Sequence, residues 1–357
     1  MKILQLAKYY PPIYGGIELV EKMMTKAHSE HGDKVVIHAF DKSHDLNIGE
    51  FGEEIYRLKE NIKILNAPFS FRYIFNFKKW ILKDPPDIIY VHLPNPFMHE
   101  VIRLNRSFLN KNEIKIIAIY HSDIVNKSLF GDIYNYYFSK TVSVYEQIIV
   151  SSDKLWNSSP ILSQLNSSVK KVIPFCIEEE IVTIPAKKGR KKKLVSIGRF
   201  VPYKGFDFLI NALKETDYEL HIIGNGPKLN ELKMLGGKNI FIHTNLKHHE
   251  KNKLMSEADI MIVASRNRAE AYGMTIVEAF SYGIPVIASN INSGVTFLVQ
   301  HEKTGLTFEV DNVEDFLQQL NRLANDEILW DKISFECQDF YRNELTFEKF
   351  KLRLVST

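Results

Sequence analysis

The residue types best suited to chemistry lie in the second half of the chain. Arg199 and Lys204 stand five positions apart in Gly198-Arg-Phe-Val-Pro-Tyr-Lys-Gly205. An arginine offers a planar fork to phosphate oxygens and a lysine a point charge; where such a turn opens a helix, oriented amides add to both. The same two cations fit equally well as exposed turn residues. Farther on, Glu270 and Glu278 bracket Ala271-Tyr-Gly-Met-Thr-Ile-Val277. A carboxylate accepts hydrogen bonds from sugar or ribose hydroxyls. If Gly273 opens a helix, the amides of Met274 and Thr275 face any phosphate set against it, and Glu278 lies one turn on. An isolated pair of glutamates at this spacing is ordinarily two surface acids; its position across a helix start is what singles it out. Gly224-Asn225-Gly226-Pro227 is a third such segment, open either to close approach of a nucleotide or to a tight turn before a helix. In the first half, Tyr120-His121-Ser122-Asp123 ends an apolar run, so His121 and Asp123 sit where strand ends carry function; a histidine in this place is also commonly structural.

These residues need elements that bring them to one edge. Short apolar runs alternate with helix-length amphipathic segments along nearly the whole chain. Ile3–Leu6, Val35–Ala39, Asp87–Val91, Ile114–Tyr120 and Gln147–Ser151 read as buried strands of one unit. Leu194–Ile197, Tyr218–Ile223, Ile240–Ile242, Asp259–Val263 and Pro285–Ala288 read as those of another. Helices are expected over Gly16–His31, Phe97–Leu109 and Gly131–Glu146, then over Lys204–Lys214, Pro227–Leu235, His248–Ala258 and Gly273–Tyr282. The reading is α/β: two doubly wound, Rossmann-like parallel-sheet domains in tandem with a helical C-terminal tail. The expected boundaries are 1–177 for the first domain, 178–193 for a linker and 194–339 for the second, with residues 340–357 returning to the first. The linker holds a basic run, Lys187-Lys-Gly-Arg-Lys-Lys-Lys193, read as a solvated connection, with contact to anionic lipid as the alternative. In open parallel sheets ligands lie beyond the carboxyl ends of the strands, and all the segments above follow strands.

Composition narrows the function classes. The chain has 357 residues, enough for two domains at roughly 150 residues each, with 46 basic and 43 acidic side chains. That near balance speaks against a nucleic-acid partner. Two cysteines without CxxC spacing exclude a disulfide framework and a zinc ribbon, and fit a reducing compartment. No apolar run reaches bilayer length and the first apolar stretch is too short for a signal peptide, so a cytoplasmic protein is expected. No Walker A motif and no Gly-x-Gly-x-x-Gly is present, which removes the common nucleotide-hydrolysing and dinucleotide-oxidising readings.

Taken together, Tyr10-Pro-Pro-x-x-Gly15-Gly16-x-Glu18, Gly198–Gly205, Gly224–Pro227, Glu270–Glu278 followed by Tyr282-Gly-Ile-Pro-Val-Ile-Ala-Ser289, and Thr304-Gly-Leu-Thr307 resemble glycosyltransferase family 4 in order and over nearly the whole length. The family's retaining sugar-nucleotide transferases have the GT-B fold, two Rossmann-like domains facing a cleft. The resemblance implies that Gly15 and Gly16 lie near the donor diphosphate and that Arg199 and Lys204 bind the pyrophosphate and stabilise it as it leaves. It implies that Glu278 holds the ribose and Glu270 the sugar hydroxyls. Gly273, Met274 and Thr275 then supply amides, Asn225, Gly226 and Leu246 line the nucleoside pocket, and His121 meets the donor sugar or the developing charge. The implied reaction is same-face transfer in which a leaving phosphate oxygen takes the acceptor proton. No Asp-x-Asp is present, so neither a metal nor another cofactor is expected. The wording His121-Ser-Asp-Ile-Val125 looks like bacterial O-antigen and surface-glycan enzymes. Expected partners are a nucleoside diphosphate sugar, GDP-mannose somewhat ahead of a UDP-hexose, and a lipid-linked saccharide. Two departures, Asn267-Arg268 before Glu270 and Ser293-Gly-Val-Thr296 in place of a Pro-Glu loop, leave the sugar open.

One segment points to the acceptor side. Pro68–Lys83 interleaves aromatics with cations, including Phe71, Phe75, Lys78, Lys79 and Trp80. It fits either a surface that touches a bilayer or lipid-linked acceptor at the cytosolic leaflet, or a helix whose aromatic face packs on the sheet.

Overall fold

The computed structural model describes residues 1–13, 15–41, 46–64, 67–124, 129–178 and 192–356. They form two compact units, Met1–Ile177 with Phe347–Thr357, and Glu178–Thr346. Most of the basic run at 187–193 and of the expected linker lies outside the described residues. Its last two members are in place: Lys192 pairs with Asp217 at 2.9 Å and Lys193 with Glu257 at 3.3 Å.

The first unit starts β1 (Lys2–Leu6), α1 (Gly16–Glu30), β2 (Lys34–Asp41), then runs through four short strands, β3 (Leu46–Ile48), β4 (Glu54–Lys59), β5 (Ile62–Ile64) and β6 (Ala67–Phe69). It continues with α2 (Phe71–Lys83), β7 (Ile88–Leu93), α3 (Pro96–Lys111), β8 (Lys115–Tyr120), α4 (Leu129–Thr141), β9 (Gln147–Val150), α5 (Asp153–Ser158) and β10 (Lys170–Val172). Its sheet has the order β10-β9-β8-β7-β1-β2-β4-β3, parallel except for β3 at the edge. β5 and β6 form a separate antiparallel ribbon. Every residue of β7 is buried, as a parallel strand covered on both faces requires. The order reverses between β7 and β1, and that reversal is where ligands enter doubly wound sheets.

In α2, Tyr73, Phe77 and Ile81 recur four residues apart and are buried, while Phe71, Phe75 and Leu82 point outward at 55%, 84% and 63% exposure. Trp80 departs from the sequence reading that set it beside Phe75. It is half-buried, packing its ring on Tyr73 at 5.0 Å and on His38 at 5.3 Å. Helical geometry puts position 80 on the face of 73 and 77 rather than that of 71 and 75.

The second unit comprises β11 (Lys193–Ile197), α6 (Phe206–Leu213), β12 (Glu219–Ile223), α7 (Leu229–Leu235), β13 (Ile240–His243), α8 (His248–Glu257), β14 (Ile260–Val263), α9 (Met274–Ser281), β15 (Val286–Ser289), α10 (Val295–Leu298) and β16 (Gly305–Phe308). α11 (Val313–Asn325) and α12 (Glu327–Phe340) follow. Its sheet, β13-β12-β11-β14-β15-β16, is parallel throughout and reverses between β11 and β14. The core under α6 and α11 is aromatic: Phe208 stacks on Phe308 with 5.8 Å between centroids, and Phe316 closes on both. The last helix, α13 (Phe347–Val355), belongs to the first unit. Lys351 reaches Glu30 of α1 at 2.8 Å, and Lys26 sits 4.7 Å from the Phe347 ring centre.

Candidate functional site

The segments singled out in the second unit occupy one edge of its sheet. Arg199–Gly205 follows β11, Gly224–Pro227 follows β12, Leu246 follows β13, and Glu270 lies between β14 and α9. The first two are laced together by the backbone. Gly198 N–H donates to Ile223 O at 3.0 Å, Phe200 N–H to Asn225 O at 2.8 Å, and Lys228 N–H to Phe200 O at 3.1 Å. This approach is why glycine is needed at 224. At φ +155° a Cβ there would lie 2.0 Å from the Gly198 carbonyl oxygen. Asn225 accepts from the Gly226 amide and meets Asn245, while Leu246 is half-buried beside them.

The two cations that sequence grouped together differ in setting. Arg199 is exposed and has no ion pair among the described residues. Lys204 is nearly buried and lies 2.6 Å from Glu270 Oε2, across the reversal between β11 and β14. Burial works against the Lys204 ammonium, but Glu270 and the nearby Tyr203 outweigh it and hold its pKa above the ordinary lysine value. Ser265 Oγ donates to the same Oε2 at 3.1 Å. Among the described residues none reaches Glu270 Oε1, so that oxygen stays available to an incoming hydroxyl. The Lys204 turn is a short 3-10 segment, Pro202–Lys204. It ends at Gly205 with φ +69°, which delays α6 to Phe206 rather than the Lys204 start expected from spacing.

α9 starts at Met274 from Gly273, whose φ is +92°. The first ladder bond is donated by Ile276 to Gly273 O at 2.9 Å, so the Met274 and Thr275 amides stand ahead of the ladder. Glu278 lies one turn farther and receives Lys251 of α8 at 3.0 Å. A nucleotide ribose at this carboxylate must share it with an ammonium.

Arg266 carries no motif that the sequence marks. Its guanidinium grips Asp207 with two bonds of 2.8 Å and Asp311 with bonds of 2.8 and 3.1 Å, and it also donates to Pro202 O. Its own amide donates to Tyr203 O at 2.7 Å. It therefore ties the Lys204 turn to the Glu270 loop. Its partners lie 59 and 45 residues away, so nothing local in the sequence marks it. Lys251 is similar: a lysine in a polar helix, recognisable only once α8 is folded beside α9.

In the first unit, Gly15 caps α1 and Gly16 begins it; both are exposed. His121 follows β8 directly, its amide bonded to Leu93 O at 2.9 Å, and its ring is buried against Phe175. Burial pulls its pKa down to about 3, so the imidazole is neutral at physiological pH. Its Nε2 lies 3.0 Å from Nδ1 of His92. Asp123 is enclosed, accepting from Tyr120 at 2.7 Å and Ser159 at 2.6 Å, which makes it a tie between β8 and the start of the segment after α5. Lys78 lies 5.6 Å from the Phe108 ring centre, and Lys79 is exposed. Among the described residues no helix is long and apolar enough to cross a membrane.

Comparison with known proteins follows these two halves. The family described as "Glycosyltransferase Family 4" matches residues 14–155, and the family described as "Glycosyl transferases group 1" matches residues 177–337. The two models together span most of the chain, whose halves are those of a glycosyltransferase with the GT-B fold, consistent with family 4. It is 27% identical over 342 residues to O-antigen chain mannosyltransferase C of Escherichia coli, covering 92% of this chain and 90% of that protein. It is 26% identical over 337 residues to the D-rhamnosyltransferase WbpZ of Pseudomonas aeruginosa, covering 90% and 86%. Among solved structures, sucrose-phosphate synthase from Thermosynechococcus elongatus superposes with a TM-score of 0.80 at 15% identity, covering 100% of this chain and 98% of that one.

Proposed function

We propose that this glycosyltransferase is a retaining, metal-independent hexosyltransferase of bacterial surface-glycan synthesis. It moves a hexose from a nucleoside diphosphate sugar to a lipid-linked saccharide of the O-antigen type. GDP-mannose is favoured over a UDP-hexose as donor, in keeping with the names of the mannosyl- and rhamnosyltransferase relatives. The observation that carries the reading is the Lys204–Glu270 pair set across the reversal of the second sheet, with the α9 amides ahead of their ladder.

In this reading the bond from the sugar's anomeric carbon to the diphosphate oxygen breaks. The bond to the acceptor oxygen forms on the same face, and the acceptor proton passes to a leaving phosphate oxygen. Arg199 and Lys204 offset the charge that develops on the diphosphate, the Met274 and Thr275 amides add to it, and Glu270 Oε1 accepts from a sugar hydroxyl. Glu278 takes the ribose hydroxyls, and Asn225, Gly226 and Leu246 border the base. Gly15 and Gly16 leave room for the diphosphate on the first unit. The outward face of α2, with Phe71, Phe75, Lys78 and Lys79, rests on the cytosolic leaflet where a lipid-linked acceptor is found.

The test is incubation with GDP-mannose or a UDP-hexose and a polyprenyl-diphosphate saccharide. Free nucleoside diphosphate and a hexose mass gain on the acceptor are expected. Nucleotide binding with no product over a broad acceptor panel favours a catalytically silent binding subunit; interconverted sugar nucleotide with no acceptor gain favours an epimerase. Either result overturns the reading.

A further inference from the structure

A chain of buried hydrogen bonds runs beneath His121, linking β8, β7, β1 and α1. Its far end is a backbone carbonyl. The Thr25 hydroxyl donates to Glu21 O at 2.9 Å. A carbonyl only accepts, so the hydroxyl proton is committed there, and Thr25 turns a lone pair toward Gln5 at 2.8 Å. Gln5 therefore presents its NH2 group to Thr25 and its Oε1 to Nε2 of His92, 2.8 Å away. That contact needs the proton on His92 Nε2, which leaves His92 Nδ1 bare. His92 Nδ1 faces Nε2 of His121 at 3.0 Å, the two rings 17° from parallel and 5.3 Å between centroids, a separation that fits an in-plane N–H···N bond, while Glu21 Oε1 stands farther off at 3.8 Å. The proton of that bond belongs to His121 Nε2. One carbonyl thus sets, through three side chains, which nitrogen of His121 is bare.

We propose that Gln5 and His92 are positioning residues that hold His121 as the Nε2–H tautomer, so that its bare Nδ1 meets the substrate as an acceptor for a hydroxyl proton. Among the described residues Nδ1 has no protein partner. All members of the chain are buried, Gln5 and Thr25 fully so, which keeps water from substituting for any link. The consequence for specificity is definite. His121 accepts from a sugar hydroxyl and does not donate through Nδ1 to a developing anion, which narrows the two roles open from sequence to one. The contact with substrate rests on the proposed function above; the tautomer does not.

Long-range 1H–15N correlation spectra of the histidine-labelled full chain at pH 7 test this directly, with His121→Gln and His92→Gln variants used for assignment. Nε2–H patterns are expected for both His92 and His121. An Nδ1–H or averaged pattern at His121 overturns the proposal whatever the protein catalyses. Removing the acceptor with Gln5→Leu is expected to give averaged patterns at both rings, whereas Gln5→Glu, which keeps an oxygen acceptor for His92 Nε2–H, keeps them; unchanged patterns in Gln5→Leu count against the chain. In the transfer assay, His92→Leu is expected to lower kcat about 5- to 10-fold, the loss of one aligned hydrogen bond, with nucleotide diphosphate affinity unchanged. His92→Asn, which offers an oxygen in place of Nδ1, should restore most of it. If the tautomer is Nε2–H and His121→Ala still turns over at the wild-type rate, the substrate contact is wrong and the tautomer stands.

Discussion

At the scale of single residues, the candidate site is an arrangement of held carboxylates. Glu270 and Glu278 each carry an ammonium in the folded chain, Lys204 at 2.6 Å and Lys251 at 3.0 Å. Neither pair is a surface ornament: Glu270 and Lys204 expose 10% and 13% of their side chains. Breaking one member leaves the other uncompensated, so the neutral isostere is the cleaner probe. Glu270→Gln is expected to cut transfer by about 100-fold or more, the scale seen when a preorganised polar contact to the reacting group is lost. Binding of nucleoside diphosphate, read by calorimetry, should hold or tighten because Lys204 loses its counter-charge. Wild-type turnover in this variant would falsify the role given to Glu270. Glu278→Gln should behave oppositely, weakening nucleotide affinity about 10-fold through the loss of charge-assisted bonds to the ribose, with kcat at saturation little changed. The residue types and their order were readable in the sequence; their pairings were not. The sequence sets Lys204 at phosphate and Glu270 at sugar separately, and nothing in either segment marks their contact. The His121 chain was hidden for another reason. Gln5 and His92 sit inside apolar strands, where the run as a whole reads as core. The one available signal was a polar side chain within such a run, which must find a buried partner.

At the scale of elements, two short pieces decide whether the site exists. The first is the left-handed Gly205 that ends the Lys204 turn and caps α6. A Cβ there would come 2.1 Å from the Ala264 carbonyl oxygen, at φ +69°. Gly205→Ala forces the turn away from β14 and should destabilise the second unit by about 1–3 kcal/mol. A lower Tm and a weakened diphosphate affinity are expected together; an unchanged Tm would show that the turn relaxes without cost. The second piece is α2, whose two faces were superimposed in the sequence. Its inward stripe of Tyr73, Phe77 and Ile81 is core, and Trp80 joins it. Its outward stripe of Phe71, Phe75 and Leu82 is exposed beside Lys78 and Lys79. Exposed phenylalanines flanked by lysines match an interfacial helix. The chain should float with vesicles containing anionic lipid at low salt, and Phe71→Ser with Phe75→Ser should abolish flotation without lowering Tm. Equal recovery of wild type and variant in the protein-only fraction sinks the membrane reading. The smaller strands were missed because they carry too little pattern. β3 and β5 have three residues each and β16 has four beginning with glycine, and runs of that length are set by the neighbouring strand rather than by their own periodicity.

At the scale of the whole chain, the two units differ in how they should respond to acid. Among the described residues the first unit buries five histidines whose pKa values burial lowers: His38 and His121 to about 3, His99 to about 4, His92 well below the usual range, and His28, where Asp33 partly opposes the shift. Among the described residues of the second unit the one comparable shift, at His243, is on a partly exposed ring. An imidazole held neutral in the fold but free to protonate when unfolded, at about 6.5, makes the unfolded state bind more protons below that pH. Stability from these groups is therefore complete above pH 6.5 and is lost progressively as the pH falls toward 4 and 3. Glu21 acts in the opposite sense. Burial raises its carboxyl well above the ordinary value, so the fold holds a proton that the unfolded chain releases, and acidification favours it. Burial raises Glu18 in the same sense, and two such carboxyls against five histidines leave the balance with the histidines. Differential scanning calorimetry between pH 7 and 5 should show the transition of the first unit moving down while that of the second moves less. His38→Phe should lessen the movement, since among the described residues that ring makes one hydrogen bond, to Tyr73, and lies against the rings of Tyr56, Tyr73 and Trp80, which can receive a phenyl group. Two transitions that shift in parallel, or a first unit indifferent to pH over this window, would mean that its histidines titrate without unfolding and that their burial is less complete than the fold requires.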